Sequence, residues 1–201
     1  MLLPIAVYFD YVCPYCFLAE RPLAEATAGR PVRVEWRPFE LRPYPTPTLR
    51  PEDDYLQTTW TRSVYPMARA LGVEIRLPPI SPQPYSHLAF EGFQYAREHG
   101  QADTYNHRVF TAFFQEGQDI GRIDVLTRLA GEVGLDAADF RRSLEERRYR
   151  EAHQAALRHA YEEAGITVVP TFLIGDQVLR GLPDAGALAR LIDEELARMA
   201  V

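Results

Sequence analysis

The chain is poor in cysteine, with only Cys13 and Cys16 among its 201 residues. That excludes the disulfide framework on which small secreted domains rely, and a chain of this length can bury a sizeable core without one. Lysine is absent, so all 22 basic residues are arginine; we read this as compositional bias and draw no site from it. Positive charge is outnumbered: the formal net charge of −6 argues against nucleic acid or an anionic membrane as the main partner. Nor is there an apolar run of the roughly 20 residues that a bilayer-spanning helix needs. The first apolar segment begins within a few residues of Met1, leaving no room for a basic leader or a cleavage site, so a cytoplasmic location is expected. In a reducing compartment a Cys-x-x-Cys pair is more often catalytic or metal-binding than structural. No internal repeat and no low-complexity tail is visible.

What is present is concentrated in Cys13-Pro14-Tyr15-Cys16, which follows the apolar run Ile5–Phe9 and precedes a helical pattern. The run reads as a short buried strand, and Pro14 suits a first helical turn, where its missing N–H has no intrahelical partner. Cys13 then stands at the helix N-terminus. Unpaired amides and the positive end of the helix dipole favour an anion there, so the Cys13 sulfur is expected to act as a thiolate nucleophile. Cys16, one turn on, can close a disulfide with Cys13 or resolve a mixed disulfide formed on it. Two blander readings compete. Cys13, Cys16, His153 and His159 have permitted spacing within each pair for zinc, but most of the chain separates the pairs, and the Arg- and Glu-rich helix carrying the histidines suggests that they are solvated. A structural disulfide closing so short a loop would contribute little.

A second informative segment is Val168-Val169-Pro170-Thr171-Phe172-Leu173-Ile174, a β-type run with a proline where a strand tolerates one. Gly175-Asp176 offers a turn into Gln177–Arg180, completing a hairpin, and Asp184 starts a helical pattern that runs to Met199. Near the N-terminus, Val32–Trp36 alternates as a half-buried strand, and Pro38–Pro51 reads as an ordered linker. Between these halves the spacing predicts helices over 53–71, 85–98, 103–115, 123–132, 137–148 and 151–163, with Gly72, Gly100, Gly117, Gly134 and Gly165 as stops and a loop over 77–84. Strand, dithiol helix, strand, long helical stretch, hairpin and helix is the element order of an α/β thioredoxin fold with a large all-helical insertion. The expected units are 1–45 with 165–201, and 46–164 as the insertion domain.

With both halves in view, the chain resembles the DsbA-like thiol:disulfide oxidoreductases, and within them the FrnE-like cytoplasmic branch. Asp10-Tyr11-Val12-Cys13-Pro14-Tyr15-Cys16 is similar to that branch's Asp-Phe-Val-Cys-Pro-Trp-Cys, and Gly165–Phe172 to its Gly-Val-x-Gly-Val-Pro-Thr-Phe. Pro38-Phe39-Glu40-Leu41 and Phe113–Ile120 also resemble family patterns, so the likeness covers essentially the whole chain. The departures are Tyr15 for Trp, Val168 for Gly, and Tyr85-Ser86 where many relatives have Asn-Thr or Asn-Ser. The resemblance implies that Cys13 attacks, Cys16 resolves, and Pro170 is a cis-proline. Val169 would then present backbone to an extended substrate, with Pro14 and Tyr15 as further contacts. It implies protein or small-molecule disulfides and thiols as partners, glutathione as a possible co-substrate, no cofactor beyond the dithiol, no metal, and a monomer or homodimer. Two other classes remain open: a glutathione-dependent isomerase or kappa-class glutathione transferase-like enzyme, which usually places Ser where Cys13 stands, and a redox-sensing chaperone or binding module.

Accessory residues have plainer readings beside the functional ones. Phe90, Phe93, Phe110, Phe113 and Phe114 lie at helical spacing, as core or as a groove over the dithiol. Asp10 can accept a proton or cap the turn before Cys13. Glu40 reads as an exposed strand-end carboxylate rather than a proton relay, and His87 as a helix-surface histidine rather than a contact to a thiol substrate.

Overall fold

The computed structural model describes residues 2–200; positions 1 and 201, the outer limits of the expected thioredoxin-like unit, lie outside the described residues. The N-terminal apolar run forms strand β1 (Leu3–Phe9), and the alternating run forms β2 (Val32–Pro38) parallel to it. Between them runs helix α1 (Pro14–Thr27). The C-terminal hairpin supplies β3 (Thr171–Ile174) and β4 (Gln177–Arg180), with β3 antiparallel to β1 and the sheet order β2-β1-β3-β4. Val7 is the pivot of the register, opposite Trp36 on one side and Phe172 on the other. Helix α9 (Ala185–Met199) closes the unit, and the Asp184 side chain caps it by accepting from the Ala187 amide at 2.9 Å.

The alternation of β1 from Leu3 to Tyr8 decides which layer each residue joins. Leu3, Ile5 and Val7 pack with Leu23 of α1 and with Leu188 and Ile192 of α9. Ala6 and Tyr8 face the opposite side, where the core continues into the helices inserted between β2 and β3. Those helices are α2 (Asp54–Thr59), α3 (Tyr65–Leu71), α4 (His87–Glu98), α5 (Ala102–Phe114), α6 (Ile123–Glu132), α7 (Ala137–Glu145) and α8 (Arg150–Arg158). Phe90, Phe93, Phe110, Phe113 and Phe114 are at most 1% exposed, which makes them interhelical core rather than groove lining.

Three departures from the expected helices have local causes. The stretch read as one helix over 53–71 is interrupted by a π-helical turn, Trp60–Val64, in which the Tyr65 amide reaches the Trp60 carbonyl. Pro66 follows and has no N–H to donate to the Arg62 carbonyl, so a regular α ladder could not run through this point. A second π turn, His159–Glu163, ends the helix before Gly165. The helix expected to reach 148 stops at Glu145 because Arg147 takes a left-handed conformation (φ 53). There its guanidinium grips Glu91, itself 1% exposed, through Nε to Oε2 at 2.9 Å and a terminal nitrogen to Oε1 at 2.6 Å.

Candidate active site

Cys13 is the N-cap of α1, with Pro14 in the first turn, and its own amide is tied back to the Asp10 carbonyl at 3.1 Å. The turn at Asp10–Cys13 thereby carries the first sulfur from the end of β1 onto the helix start. Cys13 Sγ donates to the Val169 carbonyl at 3.6 Å, joining two motifs 156 positions apart. The Val169–Pro170 peptide bond is cis, and the Pro170 carbonyl accepts from the Gly181 amide at 2.8 Å, which ties this loop to the end of β4. Cys13 is only 4% exposed and Cys16 is wholly enclosed, so the surrounding loops leave access to Cys13 only through a cleft. Both thiols are free. Burial pushes the Cys16 thiol well above its ordinary value, and the hydrogen bond it shares with Cys13 adds to this.

The cleft, about 270 Å³, is lined by Cys13, Pro14, Tyr15 and Val169 together with Asp10, Leu41, Arg42, Trp60, Gln83 and Ser86. Four of the sequence-predicted site residues therefore meet around one space, with Cys16 sealed behind it and Pro170 behind Val169. Sequence reasoning missed the far wall. The Tyr15 hydroxyl donates to Ser63 Oγ at 2.8 Å, so the dipeptide between the cysteines is tethered to the π turn of the insertion. Within a helical pattern Ser63 carried no signal of this.

Three buried polar residues stand at the cleft, Asp10 in its wall and Glu40 and His153 behind it. Asp10 is 1% exposed; its carboxylate accepts from the Leu41 amide at 2.8 Å and the Val12 amide at 3.4 Å, so it does cap the turn. Burial nevertheless raises its pKa from 3.8 to about 6, against the lowering effect of the Leu41 amide and the Ser86 hydroxyl, and the nearby Glu40 carboxylate adds to the rise. Glu40 and His153 both contradict expectation. Neither is exposed: they are 4% and 2% accessible and joined at 2.5 Å between Glu40 Oε1 and His153 Nε2. The histidine ring stacks on Phe90, and the Tyr161 hydroxyl donates to the Glu40 carbonyl at 2.6 Å. His159 is held elsewhere, by Tyr8, Arg37 and Glu163. Among the described residues no cluster of three or more His, Cys, Asp or Glu could hold a metal ion. His87 is half-buried, and desolvation lowers its pKa. No helix of the described residues is long and apolar enough to cross a membrane.

Comparison with known proteins places this geometry in context. The family model described as a DSBA-like thioredoxin domain matches residues 4–193. The uncharacterized protein YwbO of Bacillus subtilis (strain 168) is 53% identical over 196 residues, covering 97% of this chain and 98% of that protein. Among solved structures, a probable DsbA oxidoreductase from Streptomyces coelicolor superposes with a TM-score of 0.78 at 20% identity, over 97% of this chain and 90% of that one. The cytosolic disulfide reductase DsbM from Pseudomonas aeruginosa, solved with GSH, gives a TM-score of 0.69 at 20% identity, over 98% of each chain. A 2-hydroxychromene-2-carboxylate isomerase gives 0.76 at 20% identity, over 98% of this chain and 96% of that one. The α/β thioredoxin-like fold with a helical insertion is thus the DsbA-like one.

Proposed function

The chain belongs to the DSBA-like thioredoxin domain family, and on that premise we propose that it exchanges disulfides through Cys13 and Cys16. The observation that carries this reading is the asymmetry of the two sulfurs: Cys13 lines the cleft at the start of α1, in contact with the Val169 carbonyl, while Cys16 is sealed one turn below. A substrate disulfide entering the cleft meets Cys13. The Cys13 thiolate attacks one substrate sulfur, a mixed disulfide forms, and the other substrate sulfur leaves as a thiolate. Cys16 then gives up its proton and attacks Cys13 Sγ; the Cys13–Cys16 bond forms and the second substrate sulfur departs. Asp10, with a carboxyl near 6, is suited to take that proton at neutral pH. In this scheme Val169 offers backbone to an extended substrate, Pro170 holds that backbone in place, and Pro14 and Tyr15 form the wall beside the attacking sulfur.

The substrates on this reading are protein or small-molecule disulfides and thiols, and the dithiol is the only redox group required. Glutathione is a reasonable co-substrate, a view supported by its presence in the DsbM structure of the same fold. The Asp10–Cys16 pattern supports assignment to the FrnE-like branch and a cytoplasmic site of action, with 46–164 as the insertion domain that walls the cleft. An isomerase or kappa-class transferase would have no use for a resolving thiol, and the enclosed Cys16 supports exchange instead. The test is trapping. Cys16→Ser should accumulate mixed disulfides with partners from a cell lysate, visible on non-reducing gels, whereas Cys13→Ser should accumulate none. Equal trapping by both variants, or by neither, would overturn the assigned roles.

A further inference from the structure

The dithiol cleft has two charged residues in its lining, Asp10 and Arg42. Asp10 is engaged, since its two oxygens accept from the Val12 and Leu41 amides. Arg42 is not. The arginines on either side of it in sequence are paired, Arg37 with Glu35 and Arg50 with Glu52, whereas the partly buried Arg42 has neither an ion pair nor a hydrogen bond among the described residues. Gln83, on the loop before α4, lines the same cleft and is only 7% exposed, and its side-chain amide likewise has no partner among the described residues. Polar groups taken this far from water are ordinarily hydrogen-bonded, so these two stand out. Their backbone is fixed: the Leu41 amide beside Arg42 donates to Asp10, and the Gln83 amide donates to the Leu49 carbonyl, each at 2.8 Å. A guanidinium fork together with an amide NH2 is a donor set for a carboxylate.

We propose that Arg42 and Gln83 bind a carboxylate of the substrate, and that the substrates are small disulfides carrying that carboxylate a few bonds from the sulfur. The inference rests on the exchange reading above and names its substrate class. Size favours a small molecule: at about 270 Å³ the cleft falls below the roughly 300–1,000 Å³ of pockets that enclose drug-sized ligands. A cystine within a polypeptide brings its sulfurs to Cys13 but leaves its flanking residues at the rim, where Tyr55 and Val168 are exposed. The selection has to be local, because a net charge of −6 gives the whole molecule a field that repels anions. Arg42 and Gln83 touch the carboxylate and not the reacting sulfurs, so they set specificity while the dithiol does the chemistry. In that chemistry the Cys13–Cys16 bond forms and the substrate S–S bond breaks, and two substrate thiols leave with the two electrons and two protons of the dithiol.

Three disulfides of similar size separate charge from shape: anionic 3,3′-dithiodipropionate, neutral 3,3′-dithiobis(propionamide) and cationic cystamine. The reduced protein is mixed with each, and the thiols still free are alkylated and counted by mass spectrometry over time. Dividing each rate by that of dithiothreitol with the same disulfide removes intrinsic reactivity. The dicarboxylate should lead the neutral diamide by at least about tenfold, the factor that one hydrogen bond to a charged group supplies. Arg42→Gln should abolish the lead, and Arg42→Glu should invert the order in favour of cystamine. Gln83→Met, which roughly keeps the buried volume, should reduce the lead. A cystine peptide with flanking glutamates should react no faster than the same peptide with glutamines. Equal normalised rates in the unsubstituted protein, a lead that survives Arg42→Gln, slowing of all three disulfides by one factor in that variant, or a preference for the acidic peptide overturns the inference. Failure of every disulfide to oxidise the unsubstituted protein overturns the exchange reading instead.

Discussion

Burial makes Asp10 a source of pH-dependent instability. Its carboxyl stands at about 6 in the fold against 3.8 outside it, a difference of about 2 units and so about 3 kcal/mol. Between those values the folded chain binds more protons at this site than the unfolded chain. The site's contribution is therefore most favourable below the lower value and is lost as pH rises through about 6. Asp10→Asn removes the titration. The unfolding free energy of the variant relative to the unsubstituted protein should improve by up to about 3 kcal/mol between acidic and neutral pH, whatever constant offset the amide introduces at the Leu41 and Val12 hydrogen bonds. Urea unfolding at several pH values measures this, and a difference independent of pH would show that burial does not perturb the carboxyl.

Helix α4 is the element on which the insertion is assembled, because Gly92 lets two neighbours come close. A Cβ at Gly92 would strike the Tyr105 hydroxyl and lie 2.7 Å from Cζ of Phe140, bringing α5 and α7 into conflict with α4. The Tyr105 ring cannot easily retreat, since its hydroxyl donates to the Ala89 carbonyl at 3.0 Å. Gly92→Ala should therefore destabilise by about 1–3 kcal/mol, the usual range for overpacking. Gly131 in α6 is the contrast: a Cβ there would lie 3.5 Å from Ala137, an ordinary contact. Gly131→Ala should stabilise by about 0.5 kcal/mol by restricting the unfolded chain. Thermal unfolding of the two variants should show opposite signs; a loss at both positions would mean that α6 has no room for a methyl group.

At the scale of the whole molecule, one aromatic core crosses between the sheet unit and the inserted helices. Phe110 of α5 packs at 5.8 Å from Phe9, 5.3 Å from Tyr11 and 5.8 Å from Phe17, binding the helical layer to β1 and α1. Such continuity favours unfolding in a single step. Trp60→Phe leaves Trp36 as the sole tryptophan, positioned in β2 against Phe9 at 5.2 Å. Its fluorescence and the far-UV circular dichroism of the helices should then report the same denaturant midpoint. Separate midpoints would make 46–164 an independently unfolding domain.

The elements themselves were legible in the sequence because their causes are local. Pro14 at a helix start, Asp184 as a cap, and glycines such as Gly72 and Gly175 in left-handed turns each act through backbone preferences within a few residues. The same locality allowed Cys13 and Cys16 to be assigned to one turn of one helix. What the neighbours of a residue do not contain is the partner that buries it. Helix α8 carries Arg150, Glu151 and Arg158, a composition that suggests solvent, yet it docks beside β2 and α4, and Glu40, 113 positions away in sequence, meets His153 there. The tether from Tyr15 to Ser63 and the early stop of α7 at Glu145 have the same origin. A buried polar group is stable only where tertiary contact supplies its hydrogen-bond partner. Tertiary structure alone therefore decided that Asp10 stands in the wall of the dithiol cleft with Glu40 and His153 behind it.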